Sequence, residues 1–160
     1  MTENMQRRIR RARPDEAEFL NGLTGRSALY WGYEPEFLDW EPEALLVTES
    51  MIRDSPVYVA EEGERVVGYY ALLNKPPHLY LDKLFVEPDR IGTGCGKLLW
   101  LHAIDTAREM EVSEVMLDAD PNAAAFYRAM GAEWLREETT TRAGWNLQVF
   151  RYPIPDVTKD

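Results

Sequence analysis

The run from Leu81 to Leu99, LDKLFVEPDRIGTGCGKLL, constrains this chain more than any other part of its sequence. An apolar strand passes through Val86, Glu87 and Pro88 into three alternating glycines, Gly92, Gly94 and Gly96, and then directly into a helix. Alternate glycines let successive backbone N–H groups converge with no side chain in the way, and a helix start adds the positive end of its dipole. Such a corner suits a diphosphate. Two familiar phosphate loops do not fit it. A Walker A loop needs Gly-x-x-x-x-Gly-Lys-Ser/Thr, but Gly96-Lys97 has Ile91 where the first glycine belongs and Leu98 in place of the hydroxyl residue. A dinucleotide fingerprint needs Gly-x-Gly-x-x-Gly beside the first strand of a βαβ unit. Here the spacing is Gly-x-Gly-x-Gly and the loop lies mid-chain. An ordinary strand–turn–helix corner would need one glycine, not three.

A second run follows the apolar Val115-Met116-Leu117: Asp118-Ala-Asp-Pro-Asn-Ala-Ala-Ala-Phe-Tyr-Arg-Ala-Met-Gly131. Asp120 and Pro121 predict an N-cap and first helical residue, and Gly131 predicts the helix terminator. Phe126 reads as a core aromatic of that short helix.

Together the two runs resemble the GNAT superfamily, the GCN5-related N-acetyltransferases. Val86, Pro88, Gly92, Gly94 and Gly96 match its acyl-CoA motif, Val-x-Pro-x-x-(Arg/Gln)-Gly-x-Gly-x-(Gly/Ala), in register. The family's Arg or Gln position is Ile91 here, with Arg90 one place earlier. Asn122, Ala125, Tyr127 and Gly131 fit a variant of the second motif. The resemblance implies acetyl-CoA as co-substrate, held around Leu84, Phe85, Val86, Ile91, Gly92, Thr93, Gly94, Cys95, Gly96, Lys97 and Asn122. It implies an oxyanion donor in the backbone N–H of Leu84 or Phe85, with Tyr127 beside the CoA sulfur as proton donor to the leaving thiolate. The implied fold is α/β: a mixed central sheet, splayed between strands 4 and 5 and flanked by helices. The implied reaction is acetyl transfer to the primary amine of a small-molecule acceptor by direct attack in a ternary complex. A catalytically silent acyl-CoA-binding or regulatory module on the same scaffold remains open, because fold does not guarantee activity. So does a protein N-terminal or lysine acetyltransferase.

An amine attacks a thioester only when neutral, so such a site needs a proton acceptor. Many relatives place Glu six residues before the Val of the first motif; that position is Tyr80 here. Asp82 shares a strand face with Tyr80 and His78 by the period of two, and a charged Asp in a central strand is there to be paired or to work. Asp82 is therefore the candidate base, against a structural salt bridge. Glu87 alternates to the other face and is expected in solvent. The acceptor is expected against the segment after the first helix, Ser27-Ala-Leu-Tyr30-Trp31-Gly32-Tyr33-Glu34. Tyr30, Trp31 and Tyr33, with Tyr80 and the acidic Glu34, Glu36 and Asp39, suit a cationic amine with an apolar part. The same aromatics would serve equally as a cover over the sheet edge.

At 160 residues the chain is expected to be one domain, 1–160, long enough for a real core. Its apolar content of 45% and charged content of 29% are those of a globular protein. No stretch approaches a membrane span and the N-terminus has charge without an apolar core, so neither a membrane partner nor a signal peptide is expected. The one cysteine, Cys95, allows no intramolecular disulfide and fits the cytoplasm. Within the loop it is either a reactive thiol at a helix start or the small residue the turn requires. The net charge of −10 repels nucleic acid. Against that stand Arg7, Arg8, Arg10, Arg11 and Arg13, either a polyanion-binding arm or the solvated edge of a first strand. His78 and His102 have no metal-ligand spacing, and no metal is expected.

Periodicity predicts a strand over 9–12, helices over 14–23 and 42–53, strands over 57–61, 65–74 and 78–86, and a helix over 94–110 with Leu99, Ala103, Ala107 and Met110 on one face. A strand at Val115, a helix at Asn122 and strands over 132–136 and 145–152 complete the order. The aromatic-rich strand Trp145–Tyr152 would give a homodimer an edge to pair across.

Overall fold

The computed structural model describes residues 6–32, 46–139 and 146–155. Its strands are β1 (Arg7–Arg11), β2 (Val57–Glu62), β3 (Arg65–Lys75), β4 (His78–Val86), β5 (Glu114–Ala119), β6 (Glu133–Thr139) and β7 (Asn146–Pro153). The described helices are α1 (Ala17–Tyr30), α2 (Glu49–Asp54), α3 (Cys95–Glu109) and α4 (Ala124–Ala129). The strands form one mixed sheet in the order β1-β2-β3-β4-β5-β7-β6. β4 and β5 run parallel, registered at Tyr80↔Met116, whereas β1–β2, β2–β3, β5–β7 and β6–β7 are antiparallel. This is the mixed α/β sheet that the resemblance implied.

The chain forms two compact units, Met1–Ala71 with Lys83–His102, and Leu72–Asp82 with Ala103–Asp160. In the first, alternation along β2 sends Val57 and Val59 into a core with Leu20, Leu23, Val47, Ile52, Val66 and Tyr69. Tyr58 takes the opposite face, stacked on Tyr70 with ring centroids 5.5 Å apart, and Tyr70 Oη bonds His102 Nδ1 at 2.7 Å. In the second, Leu72, Leu79, Leu81, Ala103, Ala107, Val115, Leu117 and Phe150 are buried.

Helix α1 continues to Tyr30, well past the expected end at Leu23, because Thr24, Ser27 and Ala28 are buried and tertiary packing outweighs the low helix propensity of Gly22 and Gly25. Helix α2 starts only at Glu49, where Thr48 caps it by accepting from Met51 N at 3.1 Å. Before it, Val47 is pinned by both ends of the Asn21 amide, at 2.7 and 3.0 Å. In α3 the expected apolar face holds for Leu99, Ala103 and Ala107, but Met110 is 39% exposed because the helix closes at Glu109. Strand β7 is interior, bonded to β5 on one side and β6 on the other. Its edge is therefore not available for pairing two copies, contrary to the sequence expectation; the hairpin partner β6 takes it.

Candidate active site

In the first unit, β4 leads through the turn Pro88–Arg90 to Gly92 at φ +84° and Gly94 at φ +90°, conformations that favour glycine. A Cβ at either glycine would meet nothing within 4 Å. The space over the loop is open. Helix α3 starts at Cys95 and its first bond back runs from Leu98 N to Gly94 O at 3.0 Å. The N–H groups of Cys95, Gly96 and Lys97 thus precede that first bond and have no acceptor within the helix. An open corner lined by such N–H groups at a helix start fits a diphosphate, and with it the family's acyl-CoA. Thr93, Gly94 and Lys97 are exposed and Ile91 is half-buried. Cys95 is fully buried, packed toward Gly68, and burial pushes its thiol up despite the opposing pull of Arg7 and Arg90. Its thiol is a packing group.

The close packing of α3 on β3 rests on Gly68, which the sequence reading passed over. A Cβ there would lie 2.9 Å from Leu99 Cδ1, 3.0 Å from the Phe85 carbonyl oxygen and 3.3 Å from Cys95 Sγ. Leu84 and Phe85 are half-buried and Val86 is buried, so the strand ahead of the loop is held on its apolar side. Glu87 is also buried, not solvated as alternation suggested. Arg26 of α1 grips it with Nε at 3.0 Å and Nη2 at 2.6 Å, a bidentate pair that sequence spacing cannot reveal.

The arginine patch is tied to partners within the fold, most of them carboxylates. Arg7 pairs with Glu62, Arg8 with Glu61, and Arg10 with both Glu61 and Glu16. Arg11 donates to the carbonyls of Ile52 and Ser55. Arg90 is likewise committed to Glu62.

In the second unit, α4 carries Tyr127. The helix begins at Ala124 rather than at Pro121, because Asp120 closes a turn instead of capping: its Oδ1 accepts from the N–H groups of Asn122 (2.7 Å) and Ala123 (3.0 Å). Asn122 is consequently an exposed turn residue. Phe126 is half-buried, edge-on to the Tyr127 ring at 5.1 Å. Tyr127 itself is buried, and burial first, then the charge of Asp120, raises its phenol well above the usual value. It holds its proton through neutral pH, the state a proton donor needs.

Asp82 is half-buried on β4 with Lys75 Nζ 3.4 Å from its Oδ1. Tyr80, on the same face, carries the Lys75 ammonium 5.2 Å from its ring centroid and His78 6.3 Å away. Two residues beyond the Tyr80↔Met116 pair, each strand bears a carboxylate, Asp82 on β4 and Asp118 on β5. Asp118 is an exposed residue, but partial desolvation of its carboxyl, with the charges of Glu138 and Asp82, raises it above the ordinary range, against Lys75 and Arg136. The sequence reading missed Asp118 as a member of this charged group, and only the parallel register could have found it.

Of the expected acceptor residues, Tyr30 and Trp31 stand at the end of α1, 55% and 45% exposed, in edge contact at 5.1 Å. Neither is buried as a cover. Tyr33, Glu34, Glu36 and Asp39 lie outside the described residues. Among the described residues no group of His, Cys, Asp or Glu is arranged to hold a metal, and no helix is long and apolar enough to cross a membrane.

This mixed sheet with its flanking helices is an acetyltransferase fold, and the chain belongs to the acetyltransferase (GNAT) family, whose sequence model matches residues 26–132. It is 30% identical over 126 residues to the peptidyl-lysine N-acetyltransferase YjaB of Escherichia coli K12, covering 77% of this chain and 80% of that one. A crystal structure assigned to the GNAT family from Desulfovibrio desulfuricans superposes with a TM-score of 0.77 at 17% identity, over 94% of this chain and 100% of that one. PaiA N-acetyltransferase from Thermoplasma acidophilum, solved with coenzyme A, superposes with a TM-score of 0.74 at 18% identity, over 93% and 99%.

Proposed function

We propose that this protein, acting through its whole chain as one domain, is an acetyl-CoA-dependent N-acetyltransferase that acetylates the primary amine of a small-molecule acceptor. The observation that carries the reading is the loop at Gly92–Gly94, open above both glycines and leading into the start of α3, where the N–H groups of Cys95, Gly96 and Lys97 have no acceptor within the helix. Acetyl-CoA, when bound, supplies the activated acetyl group. The N–H groups of Gly94, Cys95, Gly96 and Lys97 receive its diphosphate, and Asn122 contacts the pantetheine arm. The backbone N–H of Leu84 or Phe85 donates to the oxygen on which charge develops. Asp82 takes the proton that the amine must lose, with Lys75 and Asp118 setting the charge around it. Tyr127 gives its proton to the leaving sulfur, and its raised pKa keeps that proton in place until then. Tyr30, Trp31, Tyr33 and Tyr80 receive the acceptor.

The peptidyl-lysine activity named for YjaB, at 30% identity, supports a second reading in which the amine is a protein lysine side chain. The test is a panel of small primary amines alongside lysine-containing peptides, read by release of free CoA thiol, with CoA affinity measured by calorimetry. Turnover on small amines supports the first reading, and turnover confined to peptides selects the second. Binding without turnover on any acceptor returns the catalytically silent module.

A further inference from the structure

We propose that Arg7, on the first strand, is a positioning residue for the acyl-CoA loop: it orients the Thr93–Gly94 peptide so that the Gly94 N–H faces the diphosphate. The inference rests on the reading of that loop given above.

Arg7 and Glu62 are cross-strand partners of β1 and β2. Arg7 donates from each of its three guanidinium nitrogens. Nε donates to Glu62 Oε2 at 2.7 Å, Nη1 to the Thr93 carbonyl at 2.9 Å, and Nη2 to Thr93 Oγ1 at 2.6 Å. Glu62 lies beneath, its side chain only 7% exposed, and also accepts from Arg90 Nε at 2.9 and 3.1 Å. Burial alone would raise the Glu62 carboxyl, but the bonds from Arg7 and Arg90 outweigh it and hold the group below its usual value. One buried carboxylate therefore fixes two guanidinium groups at the entrance to the loop. Thr93 is gripped from the other side as well, its Oγ1 donating to the Arg90 carbonyl at 2.6 Å.

The grip matters because Thr93 stands between Gly92 and Gly94, both at positive φ and both permissive. The Thr93–Gly94 peptide, with a permissive glycine on one side, samples several orientations unless something holds it. In a planar trans peptide the C=O and N–H point in opposite directions. Holding the Thr93 carbonyl on Arg7 therefore turns the Gly94 N–H away from β1, into the open space where a ligand can reach it. A loop ordered before binding loses less conformational freedom on binding. The neighbouring pairs give the contrast: Arg8 bonds Glu61, Arg10 bonds Glu61 and Glu16, and these bonds make no contact with the loop.

The experiment compares Arg7→Met, Arg7→Lys, Thr93→Ala and Arg8→Met with the full-length wild type. CoA affinity is read by calorimetry, acetyl-CoA KM and kcat by thiol release, and Tm by calorimetric scan. Arg7→Met is expected to weaken CoA binding and raise the acetyl-CoA KM about tenfold, the scale of one charged hydrogen bond, with kcat much less affected. Arg7→Lys keeps a cation beside Glu62 but lacks the fork that reaches Thr93. Its Tm should recover while its CoA affinity does not. Thr93→Ala, in an exposed loop, should weaken CoA binding without lowering Tm, and Arg8→Met should leave CoA binding unchanged. With S-acetylpantetheine, which lacks the diphosphate, wild type and Arg7→Met should show equal kcat/KM. Unchanged CoA affinity in folded Arg7→Met and Thr93→Ala would overturn the inference, as would affinity and Tm recovering together in Arg7→Lys. If wild type itself fails to bind CoA, the reading of the loop falls first and the inference with it.

Discussion

The roles proposed for Tyr127 and Asp82 predict separable defects. Tyr127 is buried with its phenol held protonated. Tyr127→Phe should lower kcat by roughly 10²–10⁴-fold, the range of general acid catalysis, while calorimetry finds acetyl-CoA affinity nearly intact. Asp82 faces Lys75 at 3.4 Å, which admits either a base or an ion pair. If it is the base, the Asp82→Asn defect in kcat/KM should shrink as pH rises and the free amine becomes abundant. A defect constant across pH, accompanied by a lower Tm, would mark a structural carboxylate instead.

At the scale of elements, the corner where β3, β4 and α3 meet is set by two glycines for opposite reasons. Gly68 is crowded: a methyl group there presses on Leu99 and on the Phe85 backbone. Gly68→Ala should cost about 1–3 kcal/mol in urea unfolding, as overpacking does. Gly94 is open, so a side chain there meets no protein atom and the cost comes from its φ of +90°. Gly94→Val should fold with reduced stability yet lose acetyl-CoA binding, since its methyl groups fill the space that the N–H groups face. A folded Gly94→Val that binds acetyl-CoA with unchanged affinity would remove the cofactor assignment.

At the scale of the molecule, acid stability and substrate attraction both follow from charge. In Glu61 the Arg10 hydrogen bond is the largest influence and burial opposes it; in Glu16 and Glu62 burial is the largest and the arginine bonds overcome it. In all three the carboxyl ends below its ordinary value of 4.5. A group depressed on folding adds stability in full above its unfolded value and loses it as pH falls. The Tm should thus be level above about pH 5 and fall as pH drops below 4.5. Glu62→Gln should start lower and show a shallower acid limb. The net charge of −10 draws cationic acceptors, so the KM of a positively charged amine should rise between low and high salt while that of a neutral-side-chain amine moves less.

What the sequence determined by itself was local. Three alternating glycines after Val86 and Pro88 predict a strand–loop–helix corner, because glycine adopts the positive φ found at Gly92 and Gly94 without steric cost. The period of two placed β4 at 78–86, and the apolar spacing of Leu99, Ala103 and Ala107 placed α3. Tertiary structure decided whatever depends on partners distant in the chain. The Arg26–Glu87 pair spans 61 residues and Arg7–Thr93 spans 86, separations that carry no periodicity to read. Burial of Thr24, Ser27 and Ala28 carried α1 through to Tyr30, and the fold of β6 onto β7 closed an edge that composition alone had left open. The Asp82–Asp118 juxtaposition came from strand register, because parallel pairing is set by the whole sheet and not by either strand.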